Sequence, residues 1–148
     1  MALYDDEMKK CETKYADASQ AYEKAAECYK RNSPIEAQKY EAEAKKCESE
    51  AEGYYKNAKA ELQKLGNEGN AHLDKADDAY RKGNKKLGDA ERQKGLEKIN
   101  EYDKKYSEFK RREDNASLNS RCCRVNTENE KHGWNNRIHQ EQNNGYNR

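Results

Sequence analysis

Proline, phenylalanine and tryptophan each occur once in this 148-residue chain, and methionine twice. A single proline excludes polyproline and collagen-like segments and leaves room for uninterrupted helices. With only 32% apolar residues and 40% charged ones, the chain lacks the material for a thick globular core. It is therefore either disordered or built from charged amphipathic helices. No apolar run approaches the length of about 18 residues that reads as a membrane span. Asp5, Asp6 and Glu7 argue against a secretory signal, so the expected compartment is the cytoplasm, with association to the cytoskeleton allowed. Charge of one sign is also missing: 30 Lys and Arg stand against 29 Asp and Glu. No basic face for nucleic acid is evident.

Catalytic and metal motifs are equally scarce. There are three histidines, and Cys122-Cys123 with His132 and His139 lacks the cysteine spacing of a zinc site. Gly66, Gly69, Gly83 and Gly88 form no phosphate-cradling pattern. His72 has no cysteine brought to it, and the abundant carboxylates read as solvated helix faces. Cys122-Cys123 is a candidate lipid acceptor and Asn115-Ala116-Ser117 a glycosylation acceptor by pattern alone. The expectation is a protein that is no enzyme and holds no cofactor and no metal. Cys11, Cys28 and Cys47 read as buried structural thiols, and an odd count of five fits a reducing environment.

What is present is a ladder. Tyr4, Met8, Cys11, Tyr15, Ala18, Tyr22, Ala25/Ala26 and Tyr29 step by threes and fours, and so do Ala37, Tyr40, Ala44, Cys47, Ala51, Tyr54, Ala58, Leu62 and Leu65. That spacing is the apolar stripe of a long helix close to a 3.5-residue repeat. Asn32-Ser33-Pro34 ends the first helix, since proline disfavours helical geometry in the residue before it. Ser33 then serves as N-cap, Pro34 as first helical residue and Glu36 as the partner of a capping box. The spacing predicts an antiparallel hairpin over residues 5–65, ended by Gly66, with Tyr22 opposite Ala44 and Tyr29 opposite Ala37.

Gly66-Asn67-Glu68-Gly69-Asn70 reads as a turn, followed by a second helical unit over 70–112. Its stripe of Leu73, Ala76, Tyr80, Gly83, Leu87 and Ala90 loses phase before Leu96, Ile99, Tyr102, Tyr106 and Phe109. A turn at Gly88-Asp89 accounts for the shift and sets Tyr80 against Leu96 and Leu73 against Tyr102; one long third helix is the alternative. Residues 114–148 contain nine Asn and few aliphatics, and read as an irregular, flexible or partner-ordered tail. The fold class is all-α: an elongated bundle of a long hairpin, a second helical unit and that tail.

Ala21-Tyr22-Glu23-Lys24-Ala25-Ala26-Glu27-Cys28-Tyr29-Lys30, followed by Ile35-Glu36-Ala37-Gln38-Lys39-Tyr40, resembles the helical hairpins of tetratricopeptide-like repeats of the soluble NSF attachment protein type. Ala79-Tyr80-x-Lys82 echoes Ala21-Tyr22-x-Lys24 as a faint internal repeat. The resemblance implies an adaptor that binds coiled coils in vesicle fusion, and it transfers no site residues. The residues themselves point first to a non-catalytic structural or interaction protein, a spacer, scaffold or assembly subunit. Its partners are expected to be proteins, in a large assembly or by self-association. Candidate partner-binding residues are Leu96, Ile99, Tyr102, Tyr106 and Phe109 on the shifted stripe, with Trp134 and Tyr146 as lone aromatics in the tail.

Overall fold

A computed structural model describes the backbone of residues 2–146 and the side chains as far as Gln142. Three helices account for nearly all of it: α1, Leu3–Lys30; α2, Pro34–Arg81; and α3, Lys85–Tyr146. None of them is long and apolar enough to cross a membrane. In α1 and α2, alanine, glutamate, lysine and glutamine fill most positions between the buried rungs, which is why such long helices persist there.

Both connections use one hydrogen-bond pattern. Asn32 adopts a left-handed conformation (φ 61°), its N–H donates to the Tyr29 carbonyl at 3.2 Å, and the Ser33 N–H donates to the Cys28 carbonyl at 2.8 Å. At the second connection Gly83 (φ 77°) donates to Tyr80 at 3.0 Å and Asn84 donates to Ala79 at 2.8 Å. This is the Schellman termination, which satisfies carbonyls that a helix end leaves open. The residue after each left-handed one caps the next helix. Ser33 accepts from the Ala37 N–H at 3.0 Å, and Asn84 Oδ1 accepts from the Leu87 N–H at 3.2 Å. The Ser33 amide, which a capping box would direct to Glu36, is thus used by Cys28.

The chain divides into two compact units, one of Met1–Lys9 with Tyr54–Arg112, the other of Lys10–Gly53 with Glu113–Arg148. In the second, α1 and α2 run antiparallel in the expected register. Tyr22 packs with Ala44, and Tyr29 with Ala37. Cys11, Tyr15, Ala18, Tyr22, Ala25, Ala26, Tyr29, Ala37, Ala44 and Ala51 are all buried. Large against small lets two backbones approach closely and still fill the space between them.

Three sequence expectations are corrected. The Gly66–Asn70 stretch is not a turn, and α2 runs through it to Arg81. These glycines face α3: a Cβ on Gly66 would lie 3.2 Å from the Tyr102 ring, and one on Gly69 would lie 2.9 Å from Ile99 and 3.1 Å from the Gly95 carbonyl oxygen. They serve helix packing, at a helix-propensity cost of about 1 kcal/mol each. Gly88-Asp89 is likewise no turn but lies within α3, where a Cβ on Gly88 would sit 2.5 Å from Tyr80. The reversal occurs at Lys82-Gly83-Asn84, so Tyr80 meets Gly88 and Asp89, Leu73 meets Gly95, and Tyr102 meets Gly66. Finally, the segment from residue 114 is not irregular; α3 carries on to Tyr146.

Candidate functional site

The densest set of polar side chains lies where α3 packs against α1 and α2 in the unit of Lys10–Gly53 and Glu113–Arg148. Along α3 the inward positions are Glu113, Ala116, Ser120, Cys123, Thr127, Glu130, Trp134 and Ile138, again in threes and fours, with Ser120 and Thr127 fully buried. The stripe has helical period but polar chemistry. Glu48 of α2 is its centre, accepting from Tyr22 Oη at 2.5 Å, Ser120 Oγ at 2.9 Å and Arg124 Nη1 at 3.4 Å. A carboxylate that is 14% exposed is stable there because three donors replace its water.

Further along, Thr127 Oγ1 donates to the Tyr22 carbonyl at 2.7 Å, fixing α3 to the backbone of α1. Asn119 Nδ2 donates to Ser19 Oγ at 3.3 Å. At the end of α1, Trp134 lies against Tyr29 with ring centroids 6.1 Å apart and donates its indole N–H to Asn32 Oδ1 at 2.6 Å. Arg137 donates to the Tyr29 carbonyl at 3.1 Å, placing a cation where the helix dipole is negative. Tyr29 also donates to Glu41 of α2.

Beside Glu48 lies an open hollow lined by Tyr15, Glu52, Glu113, Asp114, Ser117 and Arg121 as well. Burial pushes the Glu113 carboxyl above its ordinary range, the neighbouring Asp114 adds to the shift, and the Tyr15 hydroxyl opposes it. Burial likewise drives the Tyr15 and Tyr22 phenols upward, for Tyr22 with help from its bond to Glu48. Phenols held protonated in this way donate hydrogen bonds; they are poor bases and poor nucleophiles. No group of three or more His, Cys, Asp or Glu among the described residues is placed to hold a metal ion. The arrangement joins helices.

In the unit of Met1–Lys9 and Tyr54–Arg112, polar pairs also bridge elements. His72 Nδ1 lies 2.5 Å from Glu91 Oε2, Lys98 pairs with Glu68 at 2.9 Å, and Tyr80 donates to Asp89 at 2.6 Å. Tyr4 donates to Glu101 at 2.9 Å, and burial followed by that bond raises its hydroxyl to about 12. The sequence-selected residues are divided in use. Ile99 and Tyr102 cover Gly69 and Gly66. Phe109 is 1% exposed, with its ring centroid 5.8 Å from that of Tyr4. Leu96 and Tyr106 stand exposed, Trp134 is engaged at Tyr29 and Asn32, and the Tyr146 side chain lies outside the described residues.

Ile35, Leu87, Leu118 and Val125, none of them among the candidate partner-binding residues of the sequence, are exposed large apolar side chains as well. Leu118 and Val125 are seven apart, a spacing readable in the sequence. The polar seam of α3 was readable too, once serine and threonine at helical spacing are counted as core positions. No family model, curated protein or solved structure matches this chain.

Proposed function

We propose that this chain is a non-catalytic structural or interaction protein, working as a spacer, scaffold or assembly subunit through protein contacts in the cytoplasm. One observation carries the reading. The convergent polar groups of both units tie one helix to another, while Ile35, Leu87, Leu96, Tyr106, Leu118 and Val125 present apolar surface outward on regular helices. Apolar side chains repeated along a helix favour recognition by another helix.

Affinity capture with the full chain, followed by mass spectrometry, tests this. Filament or cytoskeletal components that are lost when Leu96 and Tyr106 are both changed to serine support the scaffold reading. Fusion-machinery helices would instead favour an adaptor of the attachment-protein type. A set of captured proteins indifferent to the substitutions would overturn the assignment of partner contacts to these residues.

A further inference from the structure

The outward face of α3 carries a second heptad stripe. Ser120 and Thr127 mark the buried side at 0% and 2% exposure; on the opposite side Leu118 and Val125 are 52% and 53% exposed, with Cys122 exposed between them. At 100° per residue, Leu118, Cys122 and Val125 fall within an arc of about 60°. Continuing by threes and fours in both directions reaches Asn115, Asn129, His132 and Asn136, all exposed. In coiled-coil terms Asn115, Cys122, Asn129 and Asn136 hold one core position, while Leu118, Val125 and His132 hold the other. Asparagine at the first of these is the residue that fixes register in parallel two-stranded coils.

We propose that this stripe pairs with the same stripe on a second copy of the chain, parallel and in register. The pattern is self-complementary in that alignment. Leu118 meets its counterpart, Val125 meets its counterpart, and each asparagine amide can donate to and accept from its twin. The flanking positions oppose no like charges, since Arg121 faces Asn126 and Glu128 faces Gly133 of the second copy. An antiparallel pairing that sets Leu118 against Asn129 leaves only Val125 against Cys122, so the leucine loses its apolar partner. A two-fold axis along α3 makes the interface isologous and closed. With two large apolar residues per copy, the dimer is weak and reversible.

This inference rests on the reading of the chain as an assembly subunit and names one of its partners. The test uses the full chain carrying Cys123→Ser, oxidised with copper phenanthroline at increasing protein concentration, with sedimentation velocity alongside. The expected result is a concentration-dependent dimer linked Cys122 to Cys122 by peptide mapping. The link should be abolished by Cys122→Ser and reduced at least tenfold by Leu118→Asp with Val125→Asp. Both apolar positions are exposed, so circular dichroism should show the double variant folded. A chain that stays monomeric overturns the proposal, as does a dimer linked through other cysteines or one indifferent to the two aspartates. Absence of a dimer from the chain with Leu118 and Val125 intact, together with capture of filament or fusion proteins, would sink this pairing and leave the proposed function standing.

Discussion

In the unit of Lys10–Gly53 and Glu113–Arg148, close helix approach is built from tyrosines laid over alanines. In the unit of Met1–Lys9 and Tyr54–Arg112 it is built from tyrosine, isoleucine and leucine laid over glycines. The first arrangement keeps helix propensity high and adds a third helix through buried polar groups. The second gives up propensity at Gly66, Gly69, Gly88 and Gly95 so that side chains of the opposite helix can lie on bare backbone. A small residue is therefore ambiguous until its partner helix is known. The alanines under Tyr22 and Tyr29 are packing positions, whereas glycine is a turn at position 83 and a contact at position 95.

The largest expected effect comes from the tyrosine–alanine seam. Tyr22 is 1% exposed, fills the space against Ala44 and donates to Glu48. Tyr22→Ala should destabilise the fold by about 3–5 kcal/mol, through a cavity and a carboxylate left short of a donor. Chemical denaturation measures it, and a loss below about 1 kcal/mol would mean that the ring is not a core element. Tyr22→Phe separates the two causes, since it removes only the hydroxyl and should cost about 1–3 kcal/mol.

The glycine seam should respond next. A Cβ on Gly95 would lie 2.8 Å from the Gly69 carbonyl oxygen and 2.9 Å from Leu73, so backbone has to move. Gly95→Ala should cost about 1–3 kcal/mol despite the gain in helix propensity. Gly53 is the control. It lies in α2 with nothing within 4 Å of an added Cβ, so Gly53→Ala should stabilise by about 0.5–1 kcal/mol. Opposite signs at two helical glycines would establish the contact role directly in thermal melts. Matching signs would remove the distinction between glycine seam and ordinary helix interior.

Much of the fold was legible and the errors have physical causes. The first hairpin could be read in register because its rungs are apolar and its turn holds the chain's one proline. The second reversal was misplaced because Gly66, Gly69 and Gly88 carry the local signature of turns, while the reason they are helical lies on the facing strand of sequence, in Tyr102, Ile99 and Tyr80. The final stretch was read as irregular because Ser120, Thr127 and Glu130 are polar by composition. Their helical period shows only when hydrophobicity is set aside and the acceptors Glu48 and the Tyr22 carbonyl are known. Among the candidate partner residues, nothing local distinguished exposed Leu96 from Phe109, which is closed over by Tyr4.

The smallest predicted effect sharpens the role of the polar seam. Glu113 has its carboxyl raised above the ordinary value of 4.5, first by burial and then by Asp114 beside it. A carboxyl whose folded value lies above its unfolded one binds its proton more readily in the folded state. Its contribution is fully present below 4.5 and is lost as pH rises through the raised value, so at neutral pH the ionised group is a liability. Glu113→Gln should therefore raise the melting temperature at neutral pH. The difference should shrink as the solution is acidified through the carboxylate range, while the melting temperature of the unaltered chain converges on that of the variant. Melts across that range decide it. A variant that is less stable at neutral pH would mean that the ionised carboxylate is held by Tyr15 and Arg121 more strongly than burial opposes it, and that α3 is docked by charge at Glu113 as well as by the Glu48 network.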